Sequence, residues 1–209
     1  MTIRMSLGCT VAALTIAALG GSGLSTAQAA VPSRTASPVG SQTVAAQRLT
    51  LPLLAQEVLE RVRTEYPTVT TLMLASGESP SGPTRDMAQV SSWEFVVNNS
   101  AQGPIGSVDV RADLDGSISA ITPHAQRWGG VLPISLPITM DPAEAYRILV
   151  AAGHDSPFQY VSLVKPLVAD PHEQYHFSDR LGSGDGWAVN VDEPHTVSPI
   201  LGGSLGAPC

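Results

Sequence analysis

The sequence predicts an α+β fold made of two tandem modules, each with one helix and a three- to four-stranded antiparallel sheet. Two observations predict it. A helix followed by short strands occurs twice along the chain, and the two copies align with each other roughly 80 residues apart, as in an internal duplication. The first module is expected at residues 49–130 and the second at residues 131–201. In each module the helix is expected to pack on one face of the sheet.

The first module begins with an amphipathic helix. Its apolar residues recur every four positions from Leu54 to Tyr66, and Pro67 ends the pattern. The dipeptide Asp115-Gly116 is typical of a tight hairpin turn between two strands. Four strands are predicted where the chain is β-branched and apolar or alternates between apolar and polar: residues 68–75, 93–97, 107–114 and 117–122.

The second module repeats this order. Residues 141–144 read Asp-Pro-Ala-Glu, which predicts a helix start with Asp141 as the N-cap, and Gly153 ends that helix. Trp187, like Trp93 in the first module, lies in an alternating run and is expected to be largely buried. Four strands are predicted here as well: residues 158–167, 174–178, 187–191 and 196–200.

The first 29 residues are predicted to be an export signal. Arg4 is the only charge before an apolar run at residues 11–19, and Ala27-Gln28-Ala29 supplies a cleavage site with small residues. The apolar run is shorter than the roughly 20 residues of a membrane-spanning helix. The chain is therefore expected to be secreted, to begin at Ala30 after cleavage, and to keep no membrane anchor.

Two segments are predicted to flank the modules. Residues 30–48 are rich in Pro, Ser, Thr, Ala and Gly and are expected to form a flexible leader, and residues 202–209 form a tail. Signal cleavage would remove Cys9 and leave Cys209 as the one cysteine, so no intramolecular disulfide is expected. A monomer is expected, with a Cys209-linked dimer as the alternative.

The charge balance argues against an anionic partner. Signal cleavage removes Arg4 from eleven basic residues and takes none of the eighteen acidic ones, which changes the net charge from −7 to −8. Nucleic acids and anionic membranes are bound through clusters of basic residues. The sequence contains no such cluster, so neither is expected as a partner.

One motif has a catalytic pattern. Residues 172–176 read His-Glu-Gln-Tyr-His, which is the H-E-x-x-H pattern of zinc metalloproteases. On a helix, His172 and His176 would lie on one face and share a zinc ion, with Glu173 as the general base. The third zinc ligand would then be His195 or Glu193.

The secondary structure of this motif decides whether it can bind zinc. In a strand, His172 and His176 would lie about 13 Å apart at ~3.3 Å per residue, which is too far for one zinc ion. The alignment of the two modules favours the strand. Asp170-Pro171 could cap a helix instead, so the helix remains the alternative.

One short sequence pattern, a Val-x-Val tripeptide followed after a turn by an apolar residue, any residue and proline, carries a family resemblance. It occurs at residues 108–110 with 121–123 and again at residues 189–191 with 197–199. A helix followed by strands, the last two of which carry this pattern, resembles the PepSY-type modules of secreted bacterial proteins. The tandem organisation is similar to that of the β-lactamase-inhibitory protein. The resemblance implies a secreted, non-enzymatic protein without a cofactor. Such a protein binds another secreted protein, and it acts as an inhibitor where that partner is an extracellular protease or other enzyme. The alternatives are a small zinc metalloprotease with Glu173 as its base, and an envelope protein with a structural role.

Overall fold

Two α-helices, one 3₁₀ helix (Met87–Gln89) and nine strands form the regular structure of the residues that the computed structural model describes, 48–180 and 185–200. The predicted export signal, almost all of the leader, the tail and Cys209 lie outside these residues. The α-helices are α1 (Leu51–Glu65) and α2 (Pro142–Ala151). The strands are β1 (Val69–Glu78), β2 (Ser92–Asn99), β3 (Ser107–Asp113), β4 (Ile118–His124), β5 (Val131–Leu132), β6 (Tyr160–Pro166), β7 (Gln174–Ser178), β8 (Gly186–Asn190) and β9 (Val197–Pro199).

All nine strands belong to one antiparallel sheet. Its strand order is β4-β3-β2-β1-β6-β7-β8-β9, and β5 pairs with β6 beside this path. Strands β1 and β6 pair over residues 75–78 and 160–163, so the strands on either side of them are joined. The prediction of two tandem modules, each with its own small sheet, is therefore wrong, although the fold is still α+β in the broad sense. Separate sheets would leave the backbone groups of β1 and β6 unpaired at two exposed edges, and the pairing satisfies them.

The two helices begin and end where local chemistry favours it. A proline stands in the first turn of each helix, where its missing N–H costs no hydrogen bond. The Asp141 side chain accepts a hydrogen bond from the Ala143 N–H, which confirms the predicted N-cap of α2. Gly153 follows α2 with a φ of 92°, a conformation that favours glycine. No helix in the described ranges is long and apolar enough to cross a membrane.

The helices pack on one face of the sheet and form the main core with it. Trp93 is fully buried there, whereas Trp187 is only partly buried and stacks on the His154 ring, with ring centroids 3.4 Å apart. One row of paired core residues crosses the eight strands of the path: Ile121, Val110, Phe95, Ala75, Leu163, Tyr175, Val189 and Val197.

The segment that connects β4 to α2 passes first over the other face of the sheet, and its later residues Ile134, Ile138 and Met140 join the main core. The Asn98 side chain holds the start of the segment on that other face, because its Nδ2 donates to the Trp128 carbonyl at 2.8 Å and its Oδ1 accepts from the Trp128 N–H at 2.9 Å. A Cβ at Gly106 would collide with the backbone of Gln126, so the close approach of this segment requires glycine. A second, small apolar cluster forms below the segment from Met73, Val131 and Val164, with Leu74 and Trp128 packed against it.

Candidate functional site

The last three residues of the H-E-x-x-H motif, Gln174 to His176, lie on a strand, and His172 and Glu173 directly precede it. Strand β7 runs from Gln174 to Ser178 and is paired on both sides, with His176 opposite Ser162 of β6 and Ala188 of β8. The strand prediction for residues 174–178 thus agrees with the structure. No helix forms at residues 172–176, so the zinc alternative lacks the helical face that would bring His172 and His176 to one ion.

His172 is held by two carboxylates. Its Nδ1 lies 3.3 Å from Asp192 Oδ2, and its Nε2 lies 3.2 Å from Asp170 Oδ2. The hydrogen bond with Asp192, followed by that with Asp170, raises the pKa of His172. These contacts favour the charged imidazolium, which cannot act as a metal ligand.

The other two candidate histidine ligands point to different partners. His176 Nε2 lies 3.1 Å from Gln174 Oε1, and burial lowers the pKa of His176 to about 4. His195 Nε2 lies 3.6 Å from Glu193 Oε1. In residues 48–180 and 185–200, no group of three or more His, Cys, Asp or Glu side chains is arranged to hold a metal ion.

Glu173, the predicted general base of the zinc alternative, has a structural contact instead. It is buried, and its Oε1 accepts a hydrogen bond from the Ser135 N–H at 2.6 Å and lies 3.7 Å from Lys165 Nζ. Glu173 therefore joins the start of β7 to the segment between β5 and α2. Sequence reasoning did not identify Lys165 or Ser135 for this role. The one available signal was that Lys165 is the chain's single lysine.

The face of the sheet opposite the helices carries no helix and is partly covered by the start of the segment between β4 and α2, and we call it the helix-free face. It is defined by the row of paired residues next to the core row. The row crosses the same eight strands, and most of its side chains are small or polar. Its members are Ala120, Arg111, Glu94, Ser76, Ser162, His176, Ala188 and Ser198.

The β1–β4 part of the helix-free face is charged. Arg111 Nη2 lies 3.6 Å from Glu94 Oε2, and His124 Nε2 lies 2.8 Å from Asp109 Oδ2. The Arg111–Glu94 pair is exposed to solvent and the His124–Asp109 pair is partly exposed, so each contributes little to the free energy of unfolding. Each charged side chain of these pairs therefore has an opposite or titratable partner on a neighbouring strand.

The β6–β9 part of the same face is mostly uncharged. Gln174 Nε2 donates to Asn190 Oδ1 at 2.7 Å, and Asn190 Nδ2 donates to Thr196 Oγ1 at 2.6 Å. His176 is the one titratable group of the defining row in this part, and its lowered pKa keeps it neutral at neutral pH. At the junction of the two parts, Ser76 Oγ and Ser162 Oγ lie 2.9 Å apart.

A shallow cavity of about 260 Å³ lies on the helix side, between the end of α2 and strands β7 and β8. Trp187 and Phe177 form apolar parts of its wall, and His154, stacked on Trp187, forms another part. The partial exposure of Trp187 follows from its position on this wall.

The chain matches no protein-family model, no curated protein and no solved structure.

Proposed function

We propose that this chain is a secreted, non-enzymatic protein that binds a protein partner through its helix-free face. The observation that carries the proposal is the row of mostly small and polar side chains that crosses eight strands on the face without helices. Its exposed members are Ala120, Arg111 and Ser198, and Ser162 and Ala188 are buried between them. Small molecules bind in concave pockets that bury most of their surface. An extended sheet face instead suits the larger and less curved surface of a protein.

The side chains of this face are held in place before any partner binds. Hydrogen bonds link Ser76 to Ser162, Gln174 to Asn190, and Asn190 to Thr196 across neighbouring strands. Ordering side chains at an interface costs free energy, so a surface whose side chains are already fixed loses less on binding. This supports a role in binding rather than in chemistry.

The charges of the chain also support a protein partner. The exposed charges Glu94 and Arg111 are paired with each other, and the β6–β9 part of the face offers mainly neutral donors and acceptors. Neutral polar groups around a tightly packed centre are usual in protein–protein interfaces. The partner class that the resemblance to secreted inhibitory modules favours is an extracellular enzyme, which the chain would inhibit by covering its surface.

The role of the helix-free face can be tested with two matched charge reversals, Glu94→Arg on the face and Glu60→Arg on the solvent side of α1. The exported form of each variant would be immobilised and exposed to the proteins that the source organism secretes. We expect Glu60→Arg to retain as much bound protein as the unmodified chain, and Glu94→Arg to retain at least about tenfold less. Equal retention by both variants would show that the helix-free face is not the binding surface. If the unmodified chain retained no protein, the binding function itself would be contradicted.

The zinc protease alternative has its own test. Zinc content would be measured on the purified exported chain and on the double variant His172→Ala/His176→Ala, together with hydrolysis of casein. We expect neither a stoichiometric metal ion nor hydrolysis, because His172 and His176 do not lie on one face of a helix. One zinc ion per chain that the double variant loses would overturn the non-enzymatic proposal.

A further inference from the structure

Exposed apolar side chains are concentrated at one end of the sheet, where β5 pairs with β6. Among the described residues, five large apolar side chains are exposed, and three of them are at this end. Leu167 and Val168 are the two most exposed, at 61% and 55%, and they are consecutive in the loop between β6 and β7. Leu136, in the segment after β5, is the third. We call these three residues the apolar end.

The loop that carries Leu167 and Val168 is fixed at its base. Pro166 pairs with Val131 of β5, and the Val168 N–H donates to the Pro166 carbonyl at 3.1 Å. Pro171 stands at the other end of the loop, so both ends have a restricted φ angle. The two apolar side chains are therefore presented by a short, tied loop.

The segment that carries Leu136 is tied to the same place. Leu136 directly follows Ser135, whose N–H donates to the buried Glu173 carboxylate. Lys165, at the end of β6, lies 3.7 Å from the same Glu173 oxygen. A buried carboxylate with two such contacts holds the loop base and the connecting segment together.

The charges beside the apolar end are acidic. The Asp170 side chain is 91% exposed and lies in the same loop, and the exposed Asp192 contacts His172 just after the loop. The two carboxylates share one basic group, His172, so this cluster keeps a net negative charge, and the nearby Lys165 is largely covered and engaged by Glu173. Apolar loops that enter anionic membranes are accompanied by basic residues, so this charge pattern favours a protein.

The apolar end is continuous with the helix-free face. Val131, which pairs with Pro166, belongs to the small apolar cluster with Met73 and Val164 that lies on that face. Exposed apolar side chains that are grouped and fixed in position mark interaction sites, and apolar anchors that enter a partner's pocket supply much of the binding energy.

We propose that Leu167 and Val168 are the anchor through which this chain holds its partner, by inserting into an apolar pocket of a secreted protein. The acidic residues Asp170 and Asp192 call for basic side chains around that pocket. The inference rests on the proposed binding function and adds to it the residues that dominate the contact and the chemistry of the surface that receives them.

The anchor can be tested with two matched double variants. Leu167→Asp/Val168→Asp changes the apolar end, and Leu53→Asp/Val150→Asp changes two other exposed apolar residues, 50% and 40% exposed, on α1 and α2. Both variants replace two exposed apolar side chains with two acids, and both should keep the melting temperature of the unmodified chain within a few degrees. The exported forms would be immobilised and exposed to the proteins secreted by the source organism, and the amount of each retained protein would be quantified.

We expect the apolar-end variant to retain at least about tenfold less of the main captured protein, and the helix variant to retain the normal amount. A benzophenone amino acid at position 168 should crosslink to that protein, an excess of unmodified chain should suppress the crosslink, and the same group at position 150 should give none. Retention of the partner by both variants would overturn the anchor and leave the binding function standing. No retention by the unmodified chain would overturn both.

Two further measurements test whether the apolar end binds a second copy of this chain or a membrane surface instead of a secreted protein. Sedimentation of the exported chain at micromolar concentration should give a monomer, and the chain should not pellet with vesicles of phosphatidylcholine and phosphatidylglycerol. A dimer that the apolar-end variant cannot form would make a second copy of this chain the occupant. Vesicle binding that the same variant loses would make it a membrane surface. Either result would overturn the proposal of a secreted protein partner.

Discussion

The two parts of the sheet use different means to form their core. The first part, α1 with β1–β4, has a helix of 15 residues with six of them buried, and strands of 7 to 10 residues. The second part, α2 with β6–β9, has a helix of 10 residues with three of them buried, and strands of 3 to 7 residues. The second part therefore has less regular structure from which to build a core.

Aromatic side chains compensate for the shorter elements of the second part. Tyr146, Phe158 and Phe177 form a triangle with ring centroids 5.0 to 5.7 Å apart. Aromatic pairs at such distances contribute about 0.5–1.5 kcal/mol beyond the area that they bury. The first part instead surrounds Trp93 and Phe95 with aliphatic residues of α1 and the sheet. The comparison predicts that loss of a core side chain costs more free energy of unfolding in the first part than in the second.

The largest expected effect separates the tryptophans of the two parts. Trp93→Ala removes a fully buried ring and should lower the free energy of unfolding by about 3–5 kcal/mol. Trp187→Ala removes a partly exposed ring on a cavity wall, and it should cost about 1–2 kcal/mol because less apolar area returns to water.

Urea denaturation followed by circular dichroism measures both losses. Each variant should shift one cooperative transition, because the two parts share a sheet and a core. Equal losses for the two tryptophans, or two separate transitions, would contradict the comparison between the parts.

The sequence predicts the local structure of both parts and misses what joins them. Asp141 could be recognised as an N-cap because capping depends on neighbouring residues, and the structure confirms it. Asp115-Gly116 could be recognised as a turn for the same reason, and Gly116 has a φ of 87°. The predicted strands agree with the observed ones within about three residues. The pairing of β1 with β6 leaves no such signal, because its hydrogen bonds come from the backbone of residues some 85 positions apart.

The same limit applies to the candidate site. Once the strands are known, alternation places Glu94 and Arg111 on the face away from the core. The contacts of Glu173 could not be found in this way, since Ser135 lies 38 positions away and belongs to an irregular segment. Residues 172–176 suggested catalysis because their sequence matches the zinc protease pattern. The conformation of residues 174–176, however, is determined by the pairing of β7 with β6 and β8.

The next prediction concerns Glu173, which ties the second part to the connecting segment. Glu173→Ala removes the acceptor of the Ser135 N–H and the partner of Lys165, and it should lower the free energy of unfolding by about 1–3 kcal/mol. Glu173→Gln keeps an acceptor oxygen and should cost less. Urea denaturation of both variants shows which one loses more free energy of unfolding. A cost below that of an exposed control, Glu57→Ala on α1, would show that the contact does not stabilise the second part.

A third prediction uses the pH dependence of two histidines in the second part, whose pKa values move in opposite directions. Burial lowers the pKa of His176 to about 4, so the unfolded chain binds a proton there before the folded one does. Stability should therefore fall as the pH decreases from about 6.5 to 4, and His176→Gln should reduce that fall. The raised pKa of His172 acts in the opposite sense, since its contribution is present below about pH 6.5 and is lost as the pH rises through the folded-state pKa.

Urea denaturation of His176→Gln and His172→Gln between pH 4 and pH 8 separates the two contributions. We expect His176→Gln to flatten the decline in stability on the acid side. His172→Gln should remove a smaller contribution on the acid side, because its ion pairs are exposed. The same acid-side slope in His176→Gln and in the unmodified chain would show that His176 is not buried as a neutral group.

The smallest expected effect is at the junction between the two parts, where Ser76 Oγ and Ser162 Oγ lie 2.9 Å apart. Ser162 is buried and Ser76 is partly exposed. Ser76→Ala leaves the buried hydroxyl of Ser162 without this partner and should cost about 1 kcal/mol or slightly more, whereas Ser162→Ala leaves a hydroxyl that water can reach and should cost less. The double variant should be closer to the unmodified chain than Ser76→Ala is, because it leaves no unpaired group. Urea denaturation of all four chains gives the coupling free energy. Additive losses would show that this hydrogen bond does not couple the two parts, and that the backbone pairing of β1 with β6 joins them without it.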